Sequence, residues 1–138
     1  GMQLLEEAVA MVERNEERYI EAELYRLKGE LTLQEANQKA KVKNQKSKIT
    51  DLQSLTLDLQ AEAEACFLKA IDIAQRQQAK SLELRATMSL AKLWRQQGKR
   101  HEAHRLLSEI YGWFTEGFGT KDLQDAKALL NELAEGEQ

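Results

Sequence analysis

Hydrophobic positions recur along most of the chain at steps of three and four residues, the spacing that lines side chains up on one face of an α-helix. The pattern is densest between Leu84 and Ile110, in LRATMSLAKLWRQQGKRHEAHRLLSEI. Leu90, Ala91 and Trp94 share one face of a first predicted helix. Ala103, Leu106, Leu107 and Ile110 share a face of a second, across a short polar turn centred on Gly98. Small residues at Ala91 and Ala103 let two antiparallel helices approach closely, while Trp94 and Leu107 fill the space beside them. A helix pair of this kind cannot bury both its faces alone, so it needs neighbours.

The same periodicity predicts further helices on either side. Residues 2–15 place Leu5, Ala8 and Val12 on one stripe, with Leu4 and Met11 beside it. Residues 17–36 carry packing positions at Ala22, Tyr25, Leu27, Gly29 and Leu33. A glycine inside a helix costs roughly 1 kcal/mol against alanine, and close approach of a second helix is the reason we assign to Gly29. A third helix over 51–78 has Leu52, Leu55, Leu59, Ala63, Phe67, Ala70 and Ala74 on its stripe, with Thr50 and Gln53 placed for a capping box. The densest stretch divides into helices 81–97 and 100–115. A last helix spans 120–135, with Thr120 as N-cap, Asp122 in the positive first turn, and Leu123, Ala126, Leu130 and Leu133 as its apolar stripe. Tyr111, Trp113, Phe114 and Phe118 concentrate four of the eight aromatic residues just before it, where they are expected to plug the joint with the preceding helix pair.

An internal repeat runs through this pattern. An offset of 62 positions carries Leu5, Ala8 and Val12 onto Phe67, Ala70 and Ala74, Gly29 onto Ala91, and Leu31 onto Leu93. The first segment is therefore expected to be the second helix of a repeat whose first helix is missing, as if cut from a longer protein, with Gly1 before Met2 as a tag-cleavage scar. Ala91, Trp94, Gly98, Ala103 and Leu107 resemble the small, aromatic, turn-glycine, small and large apolar positions of the tetratricopeptide repeat, with Ile110 in place of its usual final alanine. Ala63, Phe67 and Ala70 are similar to its second-helix pattern. The wider text, from EAELYRLKGEL through LAKLWRQQGKR to YGWFTEGF, resembles the C-terminal repeat region of bacterial multidomain signalling ATPases, often preceded by an adenylate or guanylate cyclase or a protein kinase domain. The resemblance covers most of the chain apart from residues 37–56. It implies a short all-α solenoid of stacked antiparallel helix pairs with a C-terminal capping helix, whose charged face shields the end of the stack.

Composition supports the fold class. Among 138 residues there is no proline, and leucine, alanine, glutamate, glutamine and lysine dominate. A chain of this length is a single domain with a modest core. The formal charge of −3 gives no electrostatic case for nucleic acid or an acidic membrane surface. One cysteine cannot form an internal disulfide, which suits a reducing compartment, and no apolar run approaches the ~20 residues of a membrane span. With no charged-then-apolar leader at the N-terminus, a cytoplasmic location is expected.

Charge is distributed unevenly. Ordinary repeats of about 34 residues put about 12 positions between the small residues of their two helices. Gly29 and Ala63 are 63 − 29 = 34 positions apart, so 22 residues are inserted. The insertion, assigned to residues 37–50, holds Lys39, Lys41, Lys43, Lys46 and Lys48 with no acidic residue between Glu35 and Asp51. Without those five lysines the chain has 15 basic and 23 acidic residues, a net −8. The insertion reads either as a solvated loop or as a tether for anions or an acidic partner. No aromatic residue interleaves the lysines for base stacking.

Catalytic patterns are absent from the sequence. The seven glycines are scattered, and no GK[ST] occurs to cradle a phosphate. The ATPase and cyclase motifs of the resembled family do not fall in this segment. His101 and His104 make an HxxH pair, too few ligands for a closed zinc site and not the HExxH of metalloproteases. Cys66, next to Phe67, reads as a small core residue. Neither a metal nor a cofactor is expected, and the chain is not expected to be an enzyme.

A binding surface is the better-supported expectation. In tetratricopeptide stacks the first helices of successive repeats line a concave groove for peptides. By register, that resemblance assigns a groove to Glu23, Arg26, Glu30 and Gln34 on one helix and Arg85, Met88, Lys92, Arg95 and Gln96 on the next. The second set is basic, which suits an acidic peptide or a carboxylate. The expected function is a non-catalytic protein-interaction or regulatory module of a larger bacterial signal-transduction protein, binding a protein or peptide partner or the parent's own domains. The alternative is a structural homo-oligomerisation module, with the N-terminal apolar stripe pairing two copies as a homodimer.

Overall fold

Proline is missing and strong helix formers fill nearly every polar position, so little interrupts helix once it has begun. The computed structural model describes residues 2–41, 49–114 and 120–135, with side chains from residue 20 onward in the first helix and from residue 53 onward in the second. The described residues form five α-helices and no strand: α1 Met2–Lys41, α2 Ile49–Arg76, α3 Lys80–Gln96, α4 Arg100–Trp113 and α5 Lys121–Glu135.

Helices α2 to α5 each begin and end within about two residues of the expected bounds, and two differences at the N-terminal side are informative. The break predicted at residue 16 does not occur; α1 runs unbroken for 40 residues. The segment RNEER contains no glycine or proline to stop it, and each of its residues can continue the helix. The stripe of Leu5, Ala8 and Val12 lies outside the described side chains. At the other end α1 continues to Lys41, so the first five residues of the basic insertion are helical, and α2 is already helical at Ile49. Thr50 thus sits within the first turn and is not an N-cap. Lys39 and Lys41 close the last turn of α1, where cations complement the helix dipole, and Lys39 lies 3.9 Å from Glu35. Lys43, Lys46 and Lys48 lie outside the described residues.

Two turns of the same construction join α2 to α3 and α3 to α4. At the second, Gly98 adopts φ +85°, its N–H donates to Arg95 O, and the Lys99 N–H donates to Trp94 O at 2.8 Å. At the first, Gln78 takes φ +56°, its N–H donates to Gln75 O, and the Ala79 N–H donates to Ala74 O at 2.9 Å. Both are Schellman caps, which require a left-handed residue after the helix. The predicted cap of α5 forms, with the Leu123 N–H donating to Thr120 Oγ1 at 3.4 Å.

The core has two parts that share α3. Leu33, Ala63, Phe67, Ala70 and Ile71 pack with Ala86, Leu90 and Leu93 on one side of it. Leu84, Met88 and Ala91 pack with Ala103, Leu107, Ile110, Leu123, Ala126, Leu129 and Leu133 on the other. Ala91 and Ala103 are fully buried, as the close approach of α3 to α4 requires. Trp94 touches both parts, and its indole N–H donates to Glu64 Oε1 at 2.5 Å. The α5 stripe uses Leu129 where Leu130 was expected; Leu130 is half-buried at its edge. Tyr111 and Phe114 pack against the joint with α5, as predicted. Trp113 instead lies outside it, 57% exposed, edge-on to Phe114 and with Lys80 Nζ 5.1 Å from its ring centroid. Phe118 lies outside the described residues.

Candidate protein-binding face

Helices adjacent in the chain pack as neighbours, and α1 with α3 and α3 with α5 also touch. Polar links show how these alternate helices are aligned. Ser89 Oγ donates to Glu30 Oε1 at 2.6 Å, and Gln96 Nε2 donates to Asn37 Oδ1 at 2.7 Å; both pairs are 59 positions apart. Arg85 Nε donates to Asp122 Oδ2 at 2.9 Å, and Arg95 pairs with Glu132; both of these are 37 apart. A constant offset over successive turns means that α1, α3 and α5 run parallel. The extra length between the first two, 59 − 37 = 22, equals the insertion inferred from the Gly29-to-Ala63 spacing.

By contrast, α2 runs antiparallel to α3. Gln75 Nε2 reaches Glu83 Oε2 near one end of the pair, Trp94 reaches Glu64 in its body, and Gln97 Nε2 reaches Gln60 Oε1 at the other end.

Eight of the nine expected groove residues lie at least partly exposed on α1 and α3, and Met88 does not. Met88 is buried with Leu84 and Ala91 among α4 and α5 side chains, one turn away from the open face. The others lie on neighbouring helices, and six of the eight are engaged by side chains of α1, α3 or α5. Glu23 takes two hydrogen bonds from Arg26, at 3.1 and 2.9 Å, and lies 3.8 Å from Arg85. The Arg26 guanidinium is held above its ordinary value, foremost by the hydrogen bond to Glu23, while burial pulls the other way. Arg85 and Arg95, expected to attract an acidic ligand, are paired to Asp122 and Glu132 of α5. Lys92 and Gln34 are exposed and have no partner among the described residues.

The acidic partners on α5 escaped sequence reasoning because they belong to the predicted capping helix. Their only signal was a pair of carboxylates ten positions apart, matching the ten positions between Arg85 and Arg95. No group of three or more potential metal ligands occurs among the described residues. His104 Nδ1 is 3.4 Å from Ser108 Oγ, within its own helix. Burial pushes the Cys66 thiol above its ordinary value. No described helix is long and apolar enough to cross a membrane. Searches against protein-family models, curated proteins and solved structures find no match to the chain.

Proposed function

We propose that the chain is a non-catalytic protein-interaction or regulatory module of the tetratricopeptide type, belonging to the C-terminal region of a larger bacterial signal-transduction protein. The supporting observation is the parallel register of α1, α3 and α5. It sets one helix of each successive pair side by side, so that their outward residues form a single polar face. A face built from several rigid helices holds its side chains in fixed relative positions, which suits recognition of an extended peptide or of another domain of the parent.

The ion pairs refine the ligand chemistry. An acidic peptide must displace Asp122 or Glu132 to engage Arg85 or Arg95, whereas Lys92 is available without rearrangement. Lys92, exposed one turn from Gln96 on α3, is therefore the anchoring position, and Arg95 becomes available when Glu132 is drawn away.

Titrating the labelled chain with acidic, neutral and basic peptides, followed by amide NMR shifts, tests this reading. Acidic peptides are expected to shift resonances in α1 and α3, and Lys92→Glu to abolish the shifts while Lys127→Glu on α5 leaves them. Binding unchanged by Lys92→Glu, or shifts confined to other helices, overturns it.

A further inference from the structure

Helix α1 carries a second surface, turned away from α2. Ile20, Leu24, Leu27 and Leu31 follow one another at steps of four, three and four, and are 54%, 59%, 47% and 66% exposed. Four aliphatic side chains in a row on one helix form an apolar seam of the kind that is normally covered. The internal repeat shows what covers such a seam. The 62-residue offset places Leu24 and Leu31 at the positions of Ala86 and Leu93, which are buried against Phe67, Ala70 and Ile71 of α2. On α3, then, the positions equivalent to Leu24 and Leu31 are covered by an antiparallel helix, while Leu27 corresponds to Ser89, which faces α1.

We infer that the seam on α1 is covered by the α1 seam of a second copy of this chain, the two helices pairing antiparallel about a two-fold axis between Leu24 and Leu27. That axis sets Leu24 against Leu27 of the second copy and Ile20 against Leu31, closing the seam on itself. It also brings Glu21 beside Lys28 of the second copy, and this ion pair is repeated by symmetry. Within one chain Glu21 and Lys28 are seven residues apart, about 10 Å along the axis, too far for a direct pair. Neither has an ion-pair partner among the described residues. On the opposite flank Glu23 and Glu30 approach their counterparts, but Glu23 is held by Arg26 and Arg85 and Glu30 accepts from Ser89. A seam of alternating three- and four-residue steps with flanking charges of opposite sign is the pattern by which paired helices select partner and direction. The seam borders the peptide-binding face at Glu23, Glu30 and Gln34, but the inference does not rest on that reading.

Sedimentation equilibrium of the chain at about 1 µM to about 1 mM tests the pairing. The mass is expected to rise from 15.8 kDa towards about twice that value. Leu24→Lys should hold it at the monomer value with helicity unchanged, since Leu24 is exposed in the monomer. Glu21→Lys and Lys28→Glu should each weaken the dimer about tenfold, because each sets like charges against each other twice. The double variant E21K/K28E restores both pairs and should return the affinity to within about threefold of the original. A monomer mass throughout the range overturns the proposal. So does a dimer indifferent to Leu24→Lys, which would place the contact elsewhere. Failure of the double variant to recover overturns the antiparallel register.

Discussion

A methyl group on Gly29 would lie 2.6 Å from Cε1 and 2.8 Å from Cδ1 of Phe67. The Phe67 ring is fully buried, so it has no free direction in which to yield. Alanine at position 29 would gain about 1 kcal/mol of helix propensity. It would also force apart the α1–α2 contact, an overpacking that costs about 1–3 kcal/mol. Gly29→Ala is expected to lower stability by about 1 kcal/mol net, seen as a fall in the urea midpoint at unchanged slope. Combining it with Phe67→Leu should cost less than the sum of the two single changes. Additive costs in that cycle would show that the ring and the glycine do not meet.

The two Schellman turns set up an internal comparison. Gly98 adopts its left-handed conformation without strain, whereas Gln78 at the equivalent place carries a side chain at φ +56°. A non-glycine residue there costs about 1 kcal/mol. Gln78→Gly should therefore stabilise the chain by roughly 0.5–1 kcal/mol, and Gly98→Ala should destabilise it by about 1 kcal/mol. Thermal unfolding of the two variants should move in opposite directions. A loss of stability in Gln78→Gly would mean that the side chain contributes more than the backbone strain costs.

How far the sequence foretold these features depends on how local their causes are. Gly29, Ala91 and Ala103 were legible as close-packing positions because a small residue inside an apolar helical stripe marks where a second backbone comes near. Gly98 and Thr120 were legible because turns and caps are set by neighbouring residues. Leu27 falls at a packing position of the periodicity yet is 47% exposed, since periodicity shows that a face is apolar but not which neighbour is present to cover it. The pairing of Arg85 and Arg95 with α5 was not legible. It depends on α3 and α5 lying parallel at a fixed offset, which no local pattern in either helix marks. The continuity of α1 through residue 16 was missed because the polar run RNEERY interrupts the stripe without carrying any residue that ends a helix.

Cys66 offers a test in the alkaline range. Its thiol is pushed above the ordinary value, foremost by burial, with Lys28 acting in the opposite sense. The folded chain therefore keeps the proton at pH values where the unfolded chain has lost it. Stability from this group is fully present below the ordinary thiol value and declines as pH rises above it. Relative to Cys66→Ala, the original chain should lose stability above about pH 9 and show a constant difference below it. The thiol should also resist alkylation near neutral pH until the chain is unfolded. Rapid labelling of the native chain, or a stability difference that stays flat through the alkaline range, would contradict this account.

Trp94 joins the two halves of the core, and its one polar atom is satisfied by a carboxylate from α2. An indole N–H donating to an ionised acceptor in a half-buried setting forms a stronger bond than a neutral pair. Glu64→Gln keeps an oxygen in place and should cost less than about 1 kcal/mol. Glu64→Leu leaves the indole N–H without an acceptor and should cost about 1.5–3 kcal/mol. Because Trp113 is exposed, the comparison is best made with Trp113→Phe in every variant, leaving Trp94 as the sole indole emitter. In that background Glu64→Leu should alter the native emission of Trp94 as well as lower the urea midpoint, while Glu64→Gln should leave the emission nearly unchanged. Equal losses for the two substitutions would mean that packing around position 64, and not the hydrogen bond, ties α2 to the α3–α4 pair.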